Sequence, residues 1–235
     1  MPGFGVGIGL PFQRKKKASA PSLQTRFQDS FDYGQASGTW VTLIGKMPLV
    51  GAAYVQPASF AGIAVDNGMY ANNFNGQYTY SGNPYNAYTF GVAASTQAQG
   101  IAANGKWQID FLMQERDSAI SFEGVAISTP DGLDGVAIGG AENGLLMMEE
   151  RIGGTISNVA VGANPSGLGV FGSVNVAADA GSVTATFNFT NGPVVLNMPI
   201  SGTAAYNTIA IMSDRTGQPS TDVFQQTIRD VVAKW

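Results

Sequence analysis

Side chains that could do covalent chemistry are few in this sequence, and two of the usual kinds are missing. The chain of 235 residues contains no His and no Cys. Ser-His-Asp and Cys-His nucleophiles, zinc held by imidazole or thiolate, and disulfide scaffolds are therefore excluded. The adjacent carboxylates Glu149 and Glu150 would face opposite sides of a strand. We expect one of them to be solvated and the other to pair with Arg151 or Arg116, and we predict no catalytic residues.

Two glycine-rich segments resemble ligand-binding loops but lack the features that such loops need. Residues 167–172 read Gly-Leu-Gly-Val-Phe-Gly, a formal match to a dinucleotide fingerprint, yet a strand pattern follows where a helix N-terminus is required. Residues 131–135 read Asp-Gly-Leu-Asp-Gly and could offer two carboxylates to calcium, without the spacing of a calcium loop. We interpret the first as a chance match and the second as a polar turn. Neither a cofactor nor a metal is predicted.

The segment from residue 66 to residue 90 concentrates aromatic and amide side chains, and it holds five of the eight Tyr residues. Aromatic rings stack on apolar sugar faces and amides hydrogen-bond to hydroxyls, but the same residue types also make protein interfaces. The prediction is a glycan-binding or subunit-interface surface, with packing in a sheet or between subunits favoured. Its candidate residues are Tyr70, Phe74, Tyr78, Tyr80, Asn83, Tyr85, Asn86 and Tyr88.

The N-terminal segment alternates glycine with large apolar residues from Gly3 to Leu10. In an extended backbone this period of two places every large side chain on one face. Such a ribbon could lie against another protein as an added strand, with its side chains in pockets. We predict that residues 1–17 form an anchor peptide; a disordered terminus or an edge strand of its own domain are the alternatives. The anchoring side chains are Phe4, Val6, Ile8, Leu10 and Phe12.

Charged residues lie unevenly along the chain. Residues 14–17 supply four of the twelve Lys and Arg residues, so residues 18–235 carry 8 basic and 16 acidic side chains, a net charge of −8. An acidic body does not fit nucleic-acid binding, and the N-terminal apolar stretch is far shorter than the roughly 20 residues that span a bilayer. We expect neither a nucleic-acid nor a membrane partner. Residues 18–24 suit a linker, which divides the chain into an arm, residues 1–25, and a domain, residues 26–235.

The domain is rich in Gly, Asn, Thr, Ser and Val, which favours short strands joined by tight turns. Residues 106–114 and 182–189 alternate apolar and polar side chains, and Asp66-Asn67-Gly68 is typical of a hairpin turn. About a dozen such strands predict an antiparallel β-sandwich or barrel. Residues 220–235 fit helical spacing slightly better than strand spacing, although residues 227–233 could equally form a closing strand.

The domain resembles concanavalin A-like (laminin-G-like) jelly rolls, which are common among virion proteins of tailed bacteriophages. The likeness rests on Phe-Gln-Asp-Ser-Phe-Asp-Tyr-Gly-Gln-Ala-Ser-Gly-Thr-Trp at residues 27–40 and on Val-Asp-Asn-Gly-Met-Tyr at residues 65–70. It extends over residues 27–235 through strand order and turns. Chains of this family often end with a strand that pairs near the first strand, so the resemblance favours a closing strand over residues 227–232. One glycosidase family on this fold carries Glu-x-Asp-x-x-Glu, but the third position here is Ile120.

The resemblance implies a non-enzymatic structural protein of a tailed-phage virion. It would be a capsid decoration, head fibre or tail appendage, attached through its N-terminal arm to other virion proteins of the capsid, the portal or neck, or the tail. It would form a homo-oligomer, and trimers are usual among phage appendages. The alternative is a lectin-like carbohydrate-binding module that adsorbs a particle to a host glycan. A glycoside hydrolase or lyase has the least support.

Overall fold

The computed structural model shows the protein as a succession of antiparallel β-strands. It describes residues 22–31, 33, 41–55, 64–66, 69–71, 90–114, 122–141, 144–166, 170–214 and 227–235. The strands within these residues are β1 Thr25–Asp29, β2 Val41–Thr42, β3 Ala64–Asp66, β4 Met69–Ala71, β5 Phe90–Ser95, β6 Ile101–Ala102, β7 Trp107–Gln114, β8 Phe122–Ser128, β9 Gly135–Ala141, β10 Leu145–Ile152, β11 Thr155–Ala163, β12 Phe171–Asp179, β13 Ser182–Phe189, β14 Gly192–Pro199, β15 Ala205–Tyr206, β16 Thr208–Asp214 and β17 Thr227–Lys234.

Two sheets pack face to face and enclose the core. The larger sheet has the strand order β14-β13-β12-β7-β17-β4-β3-β2, with β1 also paired to β17, and the smaller sheet has the order β11-β10-β9-β8-β16-β5. Strands β6 and β15 form a separate pair. The core joins Trp107 and Phe187 of the larger sheet to Ile138 and Met148 of the smaller sheet. The predicted all-β antiparallel sandwich is therefore confirmed.

Period-two alternation decides which side chains of the larger sheet face the core. The odd-numbered residues of β7 and β13 are buried, from Trp107 to Met113 and from Val183 to Phe189. Strand β12 lies between β7 and β13 and pairs with both. Because side chains alternate across a strand, the polar residues of these three strands share the opposite, outward face.

Two-residue turns set the register of neighbouring strands. Ala180 and Gly181, with φ of 50° and 80°, connect β12 to β13, and Gly153 and Gly154, with φ of 58° and 79°, connect β10 to β11. Positive φ at both central residues is typical of type I′ turns, whose twist matches that of the strands. The hairpin predicted at Asp66-Asn67-Gly68 is confirmed by the antiparallel pairing of β3 with β4.

The C-terminal segment forms β17, a central strand of the larger sheet, so the closing strand is confirmed and the helix is wrong. Strand β17 pairs with β7 on one side and with β1 and β4 on the other. Its register against β7 shifts between Arg229 and Val232, and Asp230 has a φ of 52°. This is a β-bulge, in which one extra residue interrupts the alternation. The bulge separates the buried Ile228 and Val231 by three residues, a spacing that resembles that of a helix.

Candidate functional site

The two outward faces of the sandwich differ in their exposure. The outer face of the smaller sheet is lined by small residues that are buried: Ala93, Ala126, Ala137 and Ala210 are each at most 3% exposed. All seven residues of β9 are buried as well. The outer face of the larger sheet instead carries exposed polar side chains. Among the described side chains of the smaller sheet, those of the edge strand β11 are exposed, including the apolar Val159 and Val161. The larger sheet therefore offers the broader polar face that a ligand can reach.

A hydrogen-bonded line of polar side chains crosses this exposed face, and we call it the polar ladder. Lys234 Nζ donates to Asp110 Oδ2 at 3.2 Å, and Asn175 Nδ2 donates to Asp110 Oδ1 at 3.0 Å. Asn188 Nδ2 donates to Asn175 Oδ1 at 3.0 Å and to Ser173 Oγ at 3.4 Å. The ladder thus joins four adjacent strands, β17, β7, β12 and β13. Each amide in it has a fixed orientation, which leaves defined donors and acceptors towards solvent.

Strand β14 extends the face beyond the ladder. Thr184 Oγ1 donates to Asn197 Oδ1 at 2.7 Å. Val195, which is 52% exposed, lies opposite Thr186 of β13. With strands about 4.8 Å apart and a rise of about 3.3 Å per residue, five strands and five residues along β12 give a face of roughly 19 Å by 13 Å. A face of this size suits an oligosaccharide better than a single sugar ring.

An arginine and an aromatic ring lie at one end of the ladder. The Arg229 guanidinium carbon is 5.9 Å from the centre of the Phe171 ring, within the range of a cation–π interaction. Arg229 is on β17 and Phe171 is on β12, so the guanidinium reaches across the intervening strand β7. Phe171 is 38% exposed. An exposed ring beside polar side chains is an arrangement on which a sugar ring can stack.

A buried glutamate fixes the loop that follows β14. Glu150 is fully buried, and its carboxylate accepts hydrogen bonds from the Ser201 N–H at 2.9 Å, the Gly202 N–H at 2.8 Å and Asn158 Nδ2 at 2.6 Å. Burial, followed by the charges of Glu150 and Asp134, raises the pKa of the adjacent Tyr206. The prediction that one glutamate of the pair is solvated is therefore wrong, because backbone N–H groups of another segment replace water around Glu150.

The neighbouring Glu149 faces the other side of β10, as predicted for adjacent strand residues. Arg151 Nε donates to Glu149 Oε1 at 2.7 Å, and both side chains are 3% exposed. The predicted pairing of one glutamate with Arg151 is confirmed. With Glu149 and Glu150 buried on opposite faces, the two carboxylates cannot flank one glycosidic bond together.

Asp29 lies in β1, within the segment on which the jelly-roll resemblance rests, and its carboxylate connects β1 to Tyr33 and Tyr54 by hydrogen bonds. Asp29 accepts hydrogen bonds from the Tyr54 hydroxyl at 2.7 Å, from the Tyr33 hydroxyl and from the Phe31 N–H at 2.8 Å. Burial raises the pKa of Asp29, while these hydrogen bonds act in the opposite direction. Since Tyr54 is itself buried, the cluster supports the fold and is not open to a ligand.

The segment 131–135 forms a hydrogen-bonded turn between β8 and β9. Asp131 Oδ1 accepts from Thr129 Oγ1 at 2.6 Å and from the Leu133 N–H at 3.1 Å, and these bonds lower the pKa of Asp131. Asp134 Oδ1 accepts from the Gly153 N–H at 3.0 Å. The interpretation as a polar turn is confirmed. Strand β12 begins at Phe171, within the other glycine-rich segment, where a dinucleotide site would need a helix.

Most residues of the two predicted binding groups fall outside the described part of the chain. The anchor residues Phe4, Val6, Ile8, Leu10 and Phe12 all lie there. Tyr70 lies in β4, and the other seven residues of the aromatic and amide group lie outside the described residues. Both groups stay predictions. Sequence reasoning missed the polar ladder, although the polar faces of residues 106–114 and 182–189 were its signal.

The described part of the chain lacks two features, a metal-binding cluster of side chains and a membrane-spanning helix. No group of three or more Asp or Glu side chains there could hold a metal ion. No helix there is long and apolar enough to cross a membrane.

Comparison with known proteins gives solved structures of similar fold but no sequence match. Neither a protein-family model nor a curated protein matches this sequence. The CBM2 module of the evolved Dit protein of Lactobacillus casei BL23 phage J-1 is similar over 91% of this chain and 96% of its own, with 12% identity and a TM-score of 0.51. This likeness shows the β-sandwich fold.

Two further structures are similar at lower TM-scores. The carbohydrate-binding module CBM66 from Bacillus subtilis is 10% identical over 85% of this chain and 96% of its own, with a TM-score of 0.44. A botulinum neurotoxin type C structure is 13% identical over 61% of this chain, with a TM-score of 0.43. The chain spans only 36% of that neurotoxin structure.

Proposed function

We propose that this chain is a non-enzymatic carbohydrate-binding module of a phage particle, and that it contacts glycans through the outer face of its larger sheet. The polar ladder carries the proposal. Sugars present hydroxyl groups that both donate and accept, and the ladder presents oriented amide, hydroxyl and carboxylate groups on an exposed surface. The exposed Phe171 supplies an apolar face beside them.

The polar ladder and the two glutamates of β10 supply no pair of carboxyl groups for glycoside hydrolysis. Its ladder carboxylate, Asp110, is held by Lys234 and Asn175. A glycosidase needs two carboxyl groups about 5–9.5 Å apart that both reach the sugar. Glu149 and Glu150 are buried, and neither reaches this face. The similar fold of a carbohydrate-binding module from a phage Dit protein is in keeping with the proposal.

Removing the centre of the ladder is expected to weaken glycan binding. Asn175→Ala deletes the amide that bonds both Asp110 and Asn188, so affinity should fall about tenfold or more. Titration of the full chain and the variant against bacterial surface polysaccharides measures the change. Ser157→Ala, an exposed position on β11 of the smaller sheet, is the control and should bind like the unaltered chain.

Two results would count against the glycan proposal. One is that no surface polysaccharide binds the folded chain. The other is that Asn175→Ala binds as tightly as the unaltered protein, in which case the aromatic and amide group from Tyr70 to Tyr88 becomes the better candidate.

A second candidate role is structural, with the chain held on a virion by residues 1–17. The strict alternation of glycine with Phe4, Val6, Ile8 and Leu10 favours this role, because it places large apolar side chains on one face of an extended segment. The partners would be proteins of the capsid, the portal or neck, or the tail, and the module would be a homo-oligomer. The two roles are compatible.

Deleting residues 1–17 tests the anchor. The variant is expected to stay folded and soluble, since β1 begins at Thr25, and to be lost from purified particles. Circular dichroism checks the fold, and immunoblotting of particles assembled with the variant measures incorporation. Normal incorporation of the deletion variant would refute the anchor without affecting the glycan proposal.

A further inference from the structure

We infer that the glycan face is selective for acidic polysaccharides, whose carboxylate or phosphate groups bind Arg229. This inference rests on the proposed function and names its ligand class. Leu112 of β7 pairs with Ser173 of β12 on one side and with Arg229 of β17 on the other. Arg229 therefore lies two strands from the Ser173 end of the polar ladder.

Arg229 has donors that the described residues do not use. Its Nε is buried and makes no hydrogen bond, and the contact described for its guanidinium is with the Phe171 ring. A guanidinium has five N–H donors in a planar fork that matches carboxylate and phosphate oxygens. Arg229 as a whole is partly exposed, so the anion would meet the outer Nη edge of the guanidinium and not the buried Nε; contact with an aromatic face leaves that edge uncovered.

The backbone at Arg229 is shaped by the β-bulge. The bulge begins directly after Arg229, and Asp230 adopts a φ of 52°. Left-handed backbone conformations are uncommon for residues other than glycine, and bulges redirect the side chains beside them. The bulge therefore interrupts regular strand pairing next to Arg229, whose side chain reaches from β17 across β7 to Phe171.

The charge of the face differs from that of the body. Residues 18–235 carry 8 basic and 16 acidic side chains. Lys106 and Asp179 pair with each other beyond the start of β7; among the other described side chains, three basic residues lie on the outward side of the larger sheet against two acidic residues. The basic residues are Arg26, Arg229 and Lys234, and the acidic ones are Asp110 and Asp230. An acidic polymer would therefore meet less repulsion here than on the body as a whole.

The face offers a separate group for each of three parts of an acidic sugar, which are its ring, its acid group and its hydroxyl groups. A ring placed over Phe171 and Leu112 would bring its acid group to Arg229 and its hydroxyl groups to Ser173 and Asn188. Stacking, charge-assisted hydrogen bonds and neutral hydrogen bonds would each be supplied by a different group of the face.

Binding of charged and neutral polymers by the full chain tests the inference. The probes are polygalacturonate for carboxylate, a polyribitol-phosphate teichoic acid for phosphate, and dextran as the neutral polymer. Arg229→Gln should weaken binding of at least one acidic polymer about tenfold or more. Arg229→Lys keeps the charge without the planar fork and should give an intermediate loss. Thermal unfolding of each variant checks its fold.

Lys106→Gln is the matched control, because it removes one positive charge from the same sheet. Lys106 is exposed and paired with Asp179 at 3.6 Å, so its loss should change affinity by less than about threefold. Equal losses of affinity in Arg229→Gln and Lys106→Gln would show that binding depends only on the total positive charge. That result would overturn the assignment of Arg229. Tighter binding of dextran, unaffected by Arg229→Gln, would overturn the acidic selectivity while the glycan proposal stands. Absence of binding to all three probes and to surface polysaccharides would overturn both.

Discussion

Replacing Glu150 by alanine is expected to lower the free energy of unfolding by about 3–5 kcal/mol. The carboxylate is fully buried and accepts from the N–H groups of Ser201 and Gly202 and from the Asn158 amide. Without it, the buried Gly202 N–H loses its acceptor at a cost of about 1–3 kcal/mol. The Ser201 N–H and the Asn158 amide lose an acceptor at a partly buried site, and the cavity left by the carboxylate adds to the loss. The loop after β14 would then be released from β10.

Urea denaturation of the two proteins measures this loss. Asp179→Ala is the matched control, since it removes an exposed carboxylate that pairs with Lys106 at 3.6 Å and should cost less than about 1 kcal/mol. A loss below about 1 kcal/mol for Glu150→Ala would mean that water replaces the carboxylate without penalty and that Glu150 does not hold the loop.

Ending the chain before β17 is expected to prevent folding altogether. Strand β17 pairs with β7, β1 and β4, so its removal separates three strands of the larger sheet. It also exposes the core around Ile228, Val231 and Ala233. Burying a large aliphatic side chain contributes about 1.5–3 kcal/mol, and a whole domain is stable by only about 5–15 kcal/mol.

Circular dichroism and a thermal melt of a chain that ends at residue 226 make the comparison. The variant without residues 1–17 is the control, because it removes more residues and yet should unfold cooperatively. A cooperative transition in the chain that ends at residue 226 would show that β17 is dispensable, against its central position in the sheet.

The fold was largely predictable from the sequence because it follows from local alternation. Residues 182–189 form β13 with the buried face that their apolar residues predict. The C-terminal strand is different, since the bulge at Asp230 places Ile228 and Val231 three residues apart. Periodicity favoured a helix there, and the resemblance to jelly rolls corrected it.

The candidate site was not predictable, because it depends on which strands are neighbours. Asp110 and Asn188 are 78 positions apart in the sequence, and they join the same ladder only because β12 lies between their strands. The alternation of polar residues along a strand predicts which of its faces is outward. It does not predict which strands lie next to it. The burial of Glu150 was missed for a similar reason, since its partners Ser201 and Gly202 come from a loop some 50 residues away.

The claim that the larger sheet binds a glycan is tested most directly by mapping the contact on the full chain. Backbone amide resonances are recorded while a bound surface polysaccharide fragment is added. The proposal predicts that the amides of Phe171, Ser173, Asn175 and Asn188 shift together and saturate at one affinity. Shifts confined to the smaller sheet or to residues 66–90, with these four amides unmoved, would contradict it.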